Sequence, residues 1–320
     1  MSQYRHNLPQ LSNRIFFTDG GLETTMVFHE GIDLPDFAAF TLLHTEDGRE
    51  RLMRYFDDYA RTAEAHGAGF IVDTVTWRAN PDWGTRQGLS PEQLDQVNRD
   101  AATMAGGMRR RYQSDRTPVV ISGIIGPRGD GYSPESLMSP AEAQDYHSRQ
   151  ARVLSETEVD FVAALTMTHS GEAIGIVEAA KDACMPVAIS FTTETDGRLP
   201  SGQTLRAAIE EVDSATNGGA AYFMINCAHP THFEDALERD EAWVKRIRGI
   251  RANASAMSHE ELNNAEELDA GDPQAFGRHY RALRDSFGHF NVLGGCCGTD
   301  HRHVAEVGKA CSGHTRDHAA

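Results

Sequence analysis

The chain has 320 residues, of which 40% are hydrophobic, and carries a formal net charge of −17 at pH 7. Its mean hydropathy is −0.47, no run approaches the roughly 18 consecutive apolar residues of a membrane span, and the acidic balance argues against nucleic acid or an anionic membrane as partner. Five cysteines, with no apolar secretion segment in the first residues, point to a reducing, cytoplasmic setting in which thiols are free for metal binding or catalysis.

The predicted elements alternate between short β-branched runs and longer helical stretches. A strand over 14–18 leads into Thr18-Asp19-Gly20-Gly21-Leu22-Glu23-Thr24. A helix over 50–66 follows, with Leu52, Met53, Phe56, Tyr59, Ala60 and Ala63 close to a 3.6-residue period. The second strand, 69–74, ends at Asp73 and Thr74. Trp77 and Trp83 occupy the loop behind it, and Ser90-Pro91-Glu92-Gln93 reads as an N-cap with proline at the first helical position. The third strand, 119–123, runs into a glycine-rich stretch over 123–131. No lysine-serine pair follows it, so it is not a P-loop. Tyr132 comes next, then Ser139-Pro140-Ala141-Glu142, a second helix start with Glu142 placed for a capping box.

The fourth strand, 160–165, precedes a helix over 171–182, and Cys184 is expected in the core. The fifth, 186–191, is followed by the polar stretch 194–202, expected as one wall of a pocket, and a helix over 203–216. The sixth, 221–226, precedes a helix over 232–239. The seventh, 248–252, precedes a helix over 272–287, and the eighth, 291–294, a helix over 301–310. His301 and His303 are expected in a solvated first turn there, Cys311 as an incidental helix-end thiol, and the polar tail from Ser312 as frayed. Eight β-then-α units in sequence predict an α/β fold, a (β/α)8 barrel closed by parallel strands, in one domain spanning 1–320.

On that scheme Cys227 ends the sixth strand, while Cys296 and Cys297 lie just past the eighth. All strand C-termini of such a barrel meet on the face that carries active sites, so three thiols can converge, with Gly294, Gly295 and Gly298 letting the chain bend tightly around the pair. A lone Cys-Cys pair would read as packing or as a vicinal disulfide; the glycine setting and the partner on another strand favour a metal. Three thiolates leave one position of a tetrahedron open for substrate, and zinc suits soft thiolate ligands. Bound there, zinc would keep a substrate thiol deprotonated. Because three thiolates already exceed its charge, the fourth sulfur would stay nucleophilic, which suits attack on a methyl carbon.

Thr18-Asp19-Gly20-Gly21-Leu22-Glu23-Thr24, Ile225-Asn226-Cys227 and Gly294-Gly295-Cys296-Cys297-Gly298-Thr299 together resemble the homocysteine S-methyltransferase family, and the resemblance covers nearly the whole chain. It implies a (β/α)8 barrel with Zn²⁺ on Cys227, Cys296 and Cys297, and transfer of a methyl group from a sulfonium, betaine or methylfolate donor to homocysteine, giving methionine. It also implies that Asp19, Gly20 and Gly21 line the acceptor pocket and that Asn226 sits in the zinc environment. One position departs. The family's glutamate at the end of strand four, which holds the acceptor's ammonium, aligns with Leu165, and Glu172 is the nearby candidate to replace it. Glu172 also opens a helix, where a carboxylate is favourable to the dipole.

Asp19 at a strand end before two glycines reads as a substrate contact rather than a cap. Glu23, Asp73 and Thr74 are candidate substrate contacts or local hydrogen-bonding groups. Trp77, Trp83 and Tyr132 offer aromatic faces to a cationic donor, or pack the loops. The lack of any folate- or cobalamin-binding domain favours a small donor such as S-methylmethionine. The expected partners are therefore a small thiol and a methyl donor, with a homo-oligomer left open. Two other readings stand beside this one: transfer to a different small thiol or selenol, and a non-catalytic zinc-binding barrel.

Overall fold

The computed structural model describes residues 2–132, 137–265 and 267–312. Eight parallel strands close into a barrel in sequence order: β1 (Phe16–Phe17), β2 (Gly69–Asp73), β3 (Val119–Ile125), β4 (Phe161–Met167), β5 (Val187–Phe191), β6 (Tyr222–Asn226), β7 (Ile247–Ala252) and β8 (Val292–Gly295). β1 closes the ring by pairing with both β2 and β8, Phe16 standing opposite Gly69 and Val292. Its ladder runs past the two-residue strand, for Thr18 N donates to Leu293 O at 2.9 Å.

Among the described residues, seven helices of eleven residues or more pack outside the ring: α1 (Glu46–His66), α2 (Pro91–Tyr112), α3 (Pro140–Ser155), α4 (Ser170–Asp182), α5 (Leu205–Thr216), α6 (Pro273–Ser286) and α7 (His301–Cys311). Ser139 with Glu142 forms the predicted capping box, and Ser90, predicted as an N-cap, forms a second one with Gln93. The helix predicted over 232–239 is instead a single turn, Pro230–Phe233, and a 3-10 turn, Glu234–Ala236. Phe233 and Leu237, four residues apart, are both buried, so the apolar spacing is met without a continuous helix. Among the described residues no helix is long and apolar enough to cross a membrane, and the tail beyond residue 312 lies outside them.

Strand alternation sorts the side chains into two cores. One lies between strands and helices and contains most of the large apolar residues. The other fills the barrel, where Phe16, Ile71, Val120, Phe161, Tyr222 and Val292 close the lower part. One pleat repeat further along the strands, the inward positions become polar: Asp73 on β2 after Ile71, Asn226 on β6 after Tyr222 and Met224, and Arg251 on β7 after Gly249. All three are buried. The period-2 pattern thus builds an apolar plug beneath a charged floor at the C-terminal mouth.

Two of the outlying expectations change. Cys184 is exposed rather than core; it turns the chain after α4 with φ 54°, and the next residue, Met185, takes the buried place. His301 is exposed, but His303 is fully buried. It completes a cap with Asp300, the residue before α7, and reaches Ala270 O at 2.8 Å.

Candidate functional site

The three sulfurs of Cys227, Cys296 and Cys297 lie within 4.8 Å of one another at the mouth. Cys227 and Cys296 are in direct sulfur–sulfur contact as a disulfide, their Cα atoms 5.3 Å apart, and Cys297 is a free thiol. The backbone brings them together. Cys227 N bonds Arg251 O, Cys296 N bonds Ala252 O, and Ala254 N bonds Cys297 O, so the ends of β6, β7 and β8 are sewn into one surface. The loop after β1 is fastened to it through Gly21 N on Thr299 O and Gly298 N on Thr24 Oγ1. A side chain at Gly21 would place its Cβ 2.7 Å from Cys296 O, so only glycine permits this approach.

Asn226 organises the sulfurs. Its Oδ1 accepts from Thr166 N at 2.9 Å and from Ser190 Oγ at 2.6 Å. Its Nδ2 donates to Thr166 Oγ1 at 2.9 Å and to Cys227 Sγ at 3.2 Å, and stands 4.0 Å from Cys296 Sγ. Thr166 and Cys227, at φ 63° and 53°, occupy the left-handed region, which costs a non-glycine residue roughly 1–3 kcal/mol; the Asn226 clamp holds that geometry. Tyr132 Oη lies 3.5 Å from Cys297 Sγ, and its ring packs on His259 at 4.4 Å between centroids. His259 reaches Cys227 O at 2.6 Å and Glu194 Oε1 at 3.0 Å. Burial pushes the Cys297 thiol above its ordinary range, which the Tyr132 contact partly offsets.

The donor set fits a soft metal ion. Three sulfurs face one point, Asn226 and Tyr132 stand against them to share thiolate charge, and no further His, Cys, Asp or Glu joins the group among the described residues. The structure is thus compatible with three protein ligands and a fourth, external one.

A cavity of about 390 Å³ opens beside the sulfurs. Asp19, Gly20, Gly21, Glu23, Thr74, Trp77 and Asn226 line it together with the three cysteines. Glu172 is not brought there. It is buried behind the cavity, accepting from Arg128 N at 2.7 Å and 2.9 Å from His147 Nε2, while its own N–H bonds the capping His169. The helix-start role prevails because α4 packs on α3, which carries His147. Leu165, at the departing position, does line the cavity, and its carbonyl accepts from Trp77 Nε1 at 3.4 Å. The hydroxyl of Thr74 is engaged by Thr76 at 2.7 Å and by Ile124 N at 2.9 Å. Trp83 belongs to a short helix, Pro81–Arg86, and the cation over both tryptophans is the protein's own. The Arg78 guanidinium sits 4.0 Å from the Trp77 ring and 3.9 Å from that of Trp83. The 194–202 loop does not line the cavity; Glu194 acts at one remove, through His259.

The residue that sequence reasoning missed is Arg251. Its guanidinium is buried at the floor, with Nη2 on Asp19, Nη1 on Asp73, and Nε on Gly295 O at 3.4 Å. Tyr55 Oη adds a hydrogen bond to Asp19 at 3.1 Å. Burial still pushes the Asp19 carboxyl up to about 7, against the pull of Arg251. The available signal was an arginine in phase with the inward positions of a strand, the same register that places Asp73 and Asn226.

Comparison with known proteins agrees with this geometry. The family model described as Homocysteine S-methyltransferase matches residues 16–311. Homocysteine S-methyltransferase 1 of Arabidopsis thaliana is 23% identical over 304 residues, covering 88% of each chain. Homocysteine S-methyltransferase 2 of the same plant is 21% identical over 253 residues, covering 72% of this chain and 74% of that one. Among solved structures, the homocysteine methyltransferase MmuM from Escherichia coli shares the fold. Its oxidized form gives a TM-score of 0.74 at 18% identity, covering 94% of this chain and 97% of that one, and its metallated form 0.71 at 18%, covering 95% and 98%. The chain belongs to the homocysteine S-methyltransferase family, whose members are methyltransferases.

Proposed function

We propose that the protein is a zinc-dependent S-methyltransferase that moves a methyl group from a small sulfonium- or betaine-type donor to a small thiol, with homocysteine, giving methionine, as the foremost acceptor. The observation that carries this reading is the convergence of three cysteine sulfurs on one wall of an otherwise formed cavity. Cys227, Cys296 and Cys297 would hold Zn²⁺, which when bound supplies a low pKa for the acceptor thiol. The cysteine pair in contact must be reduced for all three thiolates to serve.

The chain's own residues supply alignment. Asn226 and Tyr132 orient the sulfurs, and the cavity excludes bulk water from the line between acceptor sulfur and methyl carbon. In the transfer, the acceptor sulfur bonds the methyl carbon as the donor's bond to that carbon breaks and its electron pair stays with the leaving group. The thiolate's negative charge and the onium's positive charge vanish together, and the thiol's proton has already left to solvent.

A second reading, a thiol or selenol other than homocysteine, is favoured by two features: Leu165 offers no carboxylate, and Arg251 occupies Asp19. The test is a screen of zinc-loaded protein with several donors and several thiols, read by product mass. Methyl transfer that disappears with zinc removal and in Cys297→Ala is expected. Full activity and zinc content in Cys297→Ala would overturn the zinc assignment, and bound zinc without transfer to any thiol would favour a non-catalytic metal-binding barrel.

A further inference from the structure

The charges at the cavity floor are unequally satisfied. Six carboxylates line the cavity: Asp19, Glu23, Asp73, Asp130, Glu267 and Asp269. Two of them are committed to Arg251, and Tyr55 adds a hydrogen bond to Asp19. Three of the five N–H donors of Arg251 are engaged, by Asp19, Asp73 and Gly295 O. Thr74 is occupied by Thr76 and Ile124. The rim acid Asp269 is held by Gly271 N.

Glu23 is different. It is partly buried and lines the cavity, yet among the described residues no other side chain hydrogen-bonds or ion-pairs with its carboxylate. Its backbone is rigidly placed, because the adjacent Thr24 hydroxyl donates to Gly21 O at 3.1 Å and accepts from Gly298 N at 3.3 Å. The segment carrying Glu23 is thereby tied to the loop carrying Cys296 and Cys297. Its field reaches the Cys297 thiol on one side and Arg78 on the other. Burial raises its carboxyl above the ordinary range, against a backbone hydrogen bond and the pull of Arg78 and Arg251. Trp77 and Tyr132 lie around it, and Phe28 and Phe37, 47% and 48% exposed, stand at the mouth. An anion beside aromatic walls is the environment of an organic cation.

We propose that Glu23 is the specificity-determining residue that receives the positively charged group of the substrate, holding it beside the three-cysteine cluster. The inference rests on the methyltransferase reading for its substrates and names a recognition element within it. The cation has two sources with the same chemistry: the onium centre of the methyl donor, or the ammonium of an amino-acid thiol. Leu165 gives an ammonium no anion at the end of β4, and Arg251 engages Asp19 and Asp73, which favours Glu23 for either cation.

The sources separate by experiment. Zinc-loaded wild type, Glu23→Gln and Glu23→Asp are titrated calorimetrically with two probe pairs. S-methylmethionine against methionine isolates the onium charge, and homocysteine against 4-sulfanylbutanoate isolates the ammonium. The wild type is expected to prefer the charged member of one pair, and Glu23→Gln to erase that preference by roughly tenfold in Kd. The uncharged comparison probe should bind both proteins alike, and Glu23→Asp should retain part of the preference. An effect confined to the first pair assigns Glu23 to the donor; one confined to the second assigns it to the acceptor. Onium charge diminishes in the transition state, so for a donor contact the KM for donor should rise in Glu23→Gln while kcat/KM changes less. Unchanged preferences in Glu23→Gln overturn the inference, as does a wild type that binds neither charged probe. Because binding is read without turnover, a protein that shows the charge preference but transfers no methyl group refutes the function and not Glu23.

Discussion

Replacing Arg251 by methionine removes the cation that, among the described residues, bonds two buried carboxylates. Asp19 is 3% exposed and Asp73 6%, and both bond the same guanidinium. Methionine approximates the volume of the stem, so cavity formation contributes little and the effect is electrostatic. Breaking a buried pair from one side costs about 3–5 kcal/mol, which for a domain of this size is a fall of roughly 5–15 °C in Tm. The pH dependence identifies the cause. Asp19 is raised to about 7 even with Arg251 present, and losing the cation raises it further. A carboxyl whose folded pKa lies above its unfolded value binds more protons in the folded state, so stability recovers as pH falls from the folded value toward about 4. Arg251→Met should therefore unfold at markedly lower urea than the wild type at pH 8, and the gap should narrow by pH 5.5. Adding Asp19→Asn and Asp73→Asn should restore much of the loss at pH 8. A single variant within ~1 kcal/mol of wild type at pH 8, with no narrowing on acidification, would refute the charged floor as described.

Three further outcomes follow from the geometry. Asn226→Ala removes the group that faces the Cys227 and Cys296 sulfurs and clamps Thr166; zinc affinity in a competition assay should fall about 10–100-fold, and an unchanged affinity would deny Asn226 that role. Glu172→Leu leaves His147 and Arg128 N without their acceptor, so chemical denaturation should show a loss of about 1–3 kcal/mol, while zinc affinity and substrate KM stay put; a selective rise in KM would return Glu172 to the substrate. Asp300 is buried before α7, which alone would raise its carboxyl, but hydrogen bonds from His303 and Arg302 hold it well below the usual range. Asp300→Ala should cost about 1–2 kcal/mol near neutrality. A depressed folded pKa means that the contribution is present above the unfolded value and lost as pH falls beneath it, so the difference between the two proteins, followed by thermal melts, should shrink below pH 4.

The periodicity that announces eight β-then-α units also places the three cysteines, because a parallel barrel puts every strand end on one face. That made Cys227, Cys296 and Cys297 legible together, and Asp19 at its strand end with them, while Gly20, Gly21 and Asn226 came from the family resemblance. Arg251 was not legible as a site residue. Its role depends on carboxylates 232 and 178 residues away in the chain, and local pattern says only that it faces inward. Glu172 failed in the opposite direction. It sits within reach of the expected position in sequence, but α4 turns it toward α3 rather than the cavity. His303 and Cys184 exchanged their expected surroundings because the tightness of a helix cap and of a left-handed turn is decided by what packs over them.

The sequence by itself therefore determined the barrel, its polarity and the meeting of three thiols, all consequences of hydrophobic period and of residues at strand ends. Only the tertiary structure decided which charges are already satisfied. Ion pairing at the floor joins β1, β2 and β7 across the barrel, and such pairing follows from distance in space. This pairing engages Asp19 and Asp73 and leaves Glu23, among the described residues, without a side-chain partner.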